Sequence, residues 1–111
     1  MKKYSIVYTD IATQSIESYI HNITERSGSR NISSKWALSV RHKVRSLQYF
    51  PFRHGLAEEN EFRDYEIQQI IIGKYVALYY VDEEAKKVHV LTIRHGSQLP
   101  IPDELPEMPP E

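Results

Sequence analysis

With 111 residues, no cysteine and eight tyrosines, the chain has the size of one small domain and enough apolar mass for a modest core, while disulfides, zinc–thiolate sites and cysteine nucleophiles are excluded. The formal charge of −1 hides an asymmetry: the last nine residues hold four of the 15 acids and no base, leaving 14 basic against 11 acidic groups in the rest, a balance compatible with a local anion-binding patch. No apolar run reaches the roughly 20 residues of a membrane span, and no apolar signal core follows the basic start Met1-Lys2-Lys3-Tyr4, so a cytoplasmic protein is expected.

Tyr4-Ser5-Ile6-Val7-Tyr8 reads as a short strand rich in β-formers. Asp10 offers a side-chain oxygen at the start of a helix, and Ala12, Ile16, Tyr19, Ile20 and Ile23 then fall on one stripe. Gly28, between two serines, ends that helix. A second helix is expected from about Asn31 or Ser33, with Trp36, Ala37, Val40, Val44 and Leu47 on its buried face. Its other face carries Lys35, Arg41, His42, Lys43 and Arg45, by default a solvated surface. Pro51 stops it. A link of about six residues would make the two helices an antiparallel hairpin.

Residues 51–63 read as a polar loop, in which Glu58 and Glu59 look like ordinary surface carboxylates. Three strands follow: Tyr65–Ile72, Tyr75–Val81 and Lys87–Arg94, joined by the short polar turns Gly73-Lys74 and Asp82–Lys86. Alternation puts Tyr75 and Tyr79 on one face and Tyr80 on the other. Beyond Gly96 the composition shifts, and five of the six prolines lie in Pro100–Pro110 among acids. Such a tail, short of apolar side chains, is expected to be extended or disordered. The order β-α-α-β-β-β predicts an α+β fold with a helical hairpin packed on a small antiparallel sheet. One domain over residues 1–98 and a Pro-rich acidic tail over 99–111 are expected. His21, His42 and His89 have no metal-ligand spacing, so neither a metal nor another cofactor is expected.

Three stretches in this order resemble the RelE/ParE toxin superfamily, over residues 4–96. They are Phe50-Pro51-Phe52-Arg53-His54-Gly55-Leu56-Ala57-Glu58, the hairpin Glu66–Val81 with its Ile72-Gly73-Lys74-Tyr75 centre, and the last strand Val88-His89-Val90-Leu91-Thr92-Ile93-Arg94-His95-Gly96. The resemblance implies the toxin of a bacterial type II toxin–antitoxin (plasmid stabilisation) system, neutralised by a cognate antitoxin whose flexible segment folds on binding. It leaves two targets open. RelE-like members cut mRNA on the ribosome, and ParE-like members inhibit DNA gyrase without cutting. A decayed, non-toxic relative acting as a binding module is a third possibility.

RNA cleavage through the 2′-hydroxyl needs a base, an acid and cations around the phosphate. The sequence offers Arg94 to hold a phosphate and His95 to move a proton, with Lys74 and Arg63 as helpers, in a metal-independent endoribonuclease. It lacks the basic company the resemblance implies for that branch: the middle of the sheet reads Ile70-Ile71-Ile72, and Ser97-Gln98-Leu99-Pro100 follows the last strand. The Gly-Lys-Tyr hairpin and His-Gly ending look more like the ParE branch, so a non-nucleolytic toxin is the favoured expectation. Arg53, His54, Arg41 and Arg45 are then the candidates for binding antitoxin or target.

Overall fold

Thr9 decides where the first helix begins. In the computed structural model, which describes residues 3–111, its hydroxyl accepts the Ala12 amide at 3.0 Å and donates to the Leu91 carbonyl at 2.8 Å. One side chain therefore caps the helix and ties it to the last strand. Asp10, expected as the cap, is instead the first residue of α1 (Asp10–Ser27), where its carboxylate complements the helix dipole. Gly28, in the left-handed region, closes α1, and Ser29 at once caps α2 (Arg30–Arg45). The link is thus Gly28-Ser29, shorter than expected, because Ser29 begins the next helix instead of prolonging the loop. Met1 and Lys2, part of the basic start, lie outside the described residues.

The sheet has four strands, β1 (Ser5–Tyr8), β2 (Gln68–Ile72), β3 (Tyr75–Asp82) and β4 (Lys87–His95), in the order β1-β4-β3-β2. The last three form the expected antiparallel meander. β1 runs parallel to β4, from Ser5 opposite Lys87 to Tyr8 opposite Val90, so the sheet is mixed and not purely antiparallel. The two helices between β1 and the meander provide the long connection that parallel pairing requires.

β4 carries one extra residue. Leu78 faces Thr92 while Tyr79 faces Val90, leaving Leu91 as a bulge. The Val90 and Leu91 carbonyls there accept the Thr9 amide and hydroxyl, which fixes the start of α1 on the sheet.

Each face of the sheet has its own core. Tyr75, Ala77, Tyr79, Val81, Val88, Val90 and Ile93 meet Ala12, Val40, Val44 and Leu47 under the helices. On the opposite face Leu78 and Leu91 join Ala57, Ile67 and Leu105, with Tyr65 and Tyr80 packed against them. The tyrosine alternation is as predicted, and Tyr80 packs edge-on against Tyr65, ring centres 5.4 Å apart.

The tail also differs from expectation. It has no element beyond a short 3-10 turn at Pro102–Glu104, yet it is docked: Leu105 is 4 % exposed. Arg63 donates to the carbonyls of Pro102 (2.7 Å), Leu105 (3.0 Å) and Pro106 (2.9 Å), and the Tyr65 hydroxyl also donates to Pro106. A proline-rich segment has carbonyls but few amides, so it holds its place by accepting bonds from a neighbour's guanidinium. Leu105 supplies the apolar anchor.

Candidate functional site

β4 ends in two adjacent residues that point to opposite faces. Arg94, on the face away from the helices, is 6 % exposed and forms a two-pronged ion pair with Glu59, Nε to Oε2 at 2.6 Å and Nη2 to Oε1 at 3.2 Å. Glu59, expected on the surface, is 1 % exposed. Nη1 also lies 3.4 Å from the His95 carbonyl and 3.3 Å from that of Gln98. The carboxylate beside it raises the guanidinium above its ordinary pKa. Arg94 is therefore a permanent cation already neutralised by its own chain, and it clamps the 58–62 turn to the strand end. It is not free to hold a phosphate.

Arg63 is committed in the same way, to the tail carbonyls described above. Lys74 is exposed on the β2–β3 turn. Its carbonyl accepts the Gly96 amide at 2.7 Å, and a Cβ on Gly96 would come within 3.1 Å of that oxygen. Close approach of the two turns explains why glycine follows His95. Of the four residues expected to form a nuclease site, only His95 and Lys74 are without a charged or backbone acceptor among the described residues.

His95 is half-buried at the edge of an aromatic cluster formed by Tyr19 from α1, Trp36 from α2 and Tyr75 from β3. Its ring centre lies 5.1 Å from that of Tyr75, and Tyr75 lies 5.0 Å from both Tyr19 and Trp36. Ser97 donates its amide to His95 Nδ1 at 3.2 Å, with its hydroxyl 2.7 Å from the same nitrogen. An imidazole accepting at Nδ1 carries its proton on Nε2. Tyr19 completes the corner: its hydroxyl accepts the His95 amide at 3.2 Å and donates to Gln98 Oε1 at 3.2 Å. Burial raises the Tyr19 pKa, so the hydroxyl stays protonated near neutrality. This corner presents an imidazole, a phenol and an amide. The exposed turn that carries Lys74 is joined to this corner through the Gly96 amide.

The four expected binding residues separate into two groups. Arg41 and Arg45 lie on one side of α2 with Ile6, Tyr8 and Gln48, beside the β1 edge. Arg53 and His54 lie on the other side, where the loop meets β2. There they join His42 and Lys43 around a cleft of about 480 Å³ floored by Gln69, Ile70 and Ile71. The Arg53 guanidinium is fixed by the carbonyls of Tyr49 (2.5 Å) and Ser46 (3.3 Å). Burial first, then the charges of Arg53 and Lys43, lowers the His54 pKa. Among the described residues no cluster of three metal-ligating side chains exists, and no helix is long and apolar enough to cross a membrane.

Sequence reasoning missed Glu59, Tyr19 and Gln98. Glu59 sat in an apparently polar loop, and the bonds of Tyr19 and Gln98 join segments far apart in the chain. The one available signal was an arginine set beside the apolar Val90, Leu91 and Ile93 of its strand.

The family described as "ParE toxin of type II toxin-antitoxin system, parDE" matches residues 6–100. No curated protein sequence matches the chain. Among solved structures, the chain is similar to one from the chromosomal ParDE toxin–antitoxin system of P. aeruginosa, at 15% identity and a TM-score of 0.66, covering 84% of this chain and 96% of that one. It is also similar to a chain of the toxin–antitoxin complex RelBE2 from Mycobacterium tuberculosis, at 23% identity and a TM-score of 0.58, covering 86% and 93%. At these identities the structural likeness establishes the helical hairpin on a four-stranded mixed sheet.

Proposed function

The chain belongs to the ParE toxin family of type II toxin–antitoxin systems, and from that membership we propose that it is a non-nucleolytic toxin that arrests growth by binding DNA gyrase. The observation that supports this reading is the Arg94–Glu59 pair. The cation best placed for a nuclease at the strand end is buried and neutralised. Around it, the sheet face opposite the helices is filled by Leu78, Leu91, Ile67 and Leu105. RNA binding relies on exposed cations against phosphates and on stacking platforms, and Tyr65 and Tyr80 on this face are packed against its core. The His95 corner, with Tyr19, Gln98 and Ser97, is the contact surface for the target. Its aromatic, hydrogen-bonding character suits a protein interface, where rigid aromatic groups with polar tips are enriched.

Induced expression in a bacterial host, with plasmid topology and ribosome-bound mRNA followed together, tests the reading. Growth arrest with relaxed plasmid and intact mRNA is the expected result. Arrest with mRNA cut on the ribosome and normal supercoiling would reject it in favour of a ribonuclease. Normal growth with folded protein present would reject toxicity altogether.

A further inference from the structure

We propose that the flank of α2 beside the outer edge of β1 is a phosphate-binding surface, on which Arg41, Arg45 and Tyr8 hold successive phosphates of a duplex DNA backbone. The proposal rests on the toxin reading only for the source of that DNA, the segment that gyrase carries.

Arg41 and Arg45 stand on the exposed flank of α2, four residues apart. That is about one turn, or about 6 Å along the helix axis. Like charges so placed repel one another, which a helix tolerates only at some cost. The one ion pair among the described residues joins Arg94 to Glu59, so neither guanidinium has a carboxylate partner there. With Ile6, Tyr8 and Gln48 the two arginines line an open cleft of about 340 Å³, and no acid is among its lining residues. β1, which supplies Ile6 and Tyr8, is an edge strand, so the cleft opens at the rim of the sheet. Both guanidiniums lie near enough to Tyr8 to pull its pKa down, but burial outweighs them and raises it. The phenol therefore keeps its proton near neutrality and is a donor.

This donor set selects phosphate. A guanidinium is charged at every physiological pH, and its planar fork matches the oxygens of a phosphate. The step from Arg41 to Arg45 is comparable to the through-space step between consecutive phosphates on one strand. The row of cations continues past the cleft: Lys86 stands over the Tyr4 ring, 5.3 Å from its centre, just before β1 begins. From Tyr8 back to Tyr4 the strand spans about 13 Å, so Arg41, Arg45 and Lys86 follow one edge of the sheet. Ile6 is the single aliphatic residue in the cleft. An acidic protein surface would find little apolar area to bury there. A backbone contact needs none, and it positions a duplex without reading its bases.

The test is fluorescence anisotropy of the full chain with a short labelled DNA duplex, in the absence of gyrase. Binding should weaken steeply with salt. Arg41→Ala combined with Arg45→Ala should lower the affinity tenfold or more, and should reduce the slope of log K against log salt by about two. Both positions are exposed, so the double variant should melt at the wild-type temperature. Arg26→Ala with Arg30→Ala removes the same charge from the exposed tip of the helical hairpin, and should leave binding within about twofold. No binding of the duplex at low salt, or equal losses from the two double variants, would overturn the proposal. So would inorganic phosphate or poly-glutamate that competes as well, per charge, as unlabelled duplex. The first result would mark a lone-anion site and the second a protein-binding one. Gyrase inhibition is read separately, as supercoiling, so either reading can fail without the other.

Discussion

Arg94 and His95 are neighbours in sequence with opposite fates. Arg94 has its partner 35 residues upstream, so no local pattern reveals the ion pair, and a lone strand-end arginine reads as a free cation. Burial changes its meaning. Removing either partner leaves an uncompensated buried charge, and Glu59→Ala is expected to cost about 3–5 kcal/mol in a urea unfolding experiment. Replacing both, as in Glu59→Leu with Arg94→Met, should restore most of that loss. A double variant as unstable as the single one would show that the pair is needed for more than mutual neutralisation. His95 is half-buried and its ring is held by one neighbouring serine. His95→Ala should leave the unfolding midpoint nearly unchanged while weakening target binding about tenfold or more, as expected for a rigid anchor at an interface. Binding unaffected by that change would move the contact surface elsewhere.

At the scale of elements, both α-helices and all four strands were located from apolar runs and their repeat, while the short 3-10 helices within 46–62 were not. The ends were less legible. Thr9 and not Asp10 caps α1 because the Leu91 carbonyl, brought there by the β4 bulge, holds its hydroxyl. Parallel pairing of β1 with β4 was hidden because short turns announce antiparallel neighbours, while a partner at the far end of the chain has no local signature. Gly96 is a case in which the sequence pattern was visible and its cause was not. The glycine lets the β4 end approach the β2–β3 turn, and Gly96→Ala would set a methyl group 3.1 Å from the Lys74 carbonyl. A loss of about 1–2 kcal/mol is expected by chemical denaturation. An unchanged stability would mean that the turn yields freely.

The whole molecule is a sheet closed on both faces, and only the helical cover was foreseen. The second cover is made from the loop before β2 and the tail, which have little periodicity because they contribute single side chains. Leu105→Ala should destabilise by about 2 kcal/mol, near the lower end for a buried leucine, and should speed exchange of the tail amides. Full retention of protection would show that the Arg63 bonds alone hold the tail. Acid should also weaken the fold as a unit. Burial lowers the pKa of both His54 and His89, so the unfolded chain binds their protons more readily. Their stabilising contribution is complete above the unfolded value of about 6.5 and is lost as the pH falls below it towards the lower folded values. His89→Phe should flatten that decline in thermal melts between about pH 7 and pH 5.

With both faces of the sheet covered and Arg94 neutralised, the His95 corner is still partly exposed at the end of β4. The central claim, that this ParE-family toxin acts by binding gyrase without cutting nucleic acid, is tested most directly in vitro. Purified gyrase is given relaxed plasmid and ATP with increasing amounts of the chain. The account predicts that supercoiling is progressively lost, and that it is spared by His95→Ala at the same concentrations. Undiminished supercoiling at a large molar excess of folded wild-type protein would contradict it.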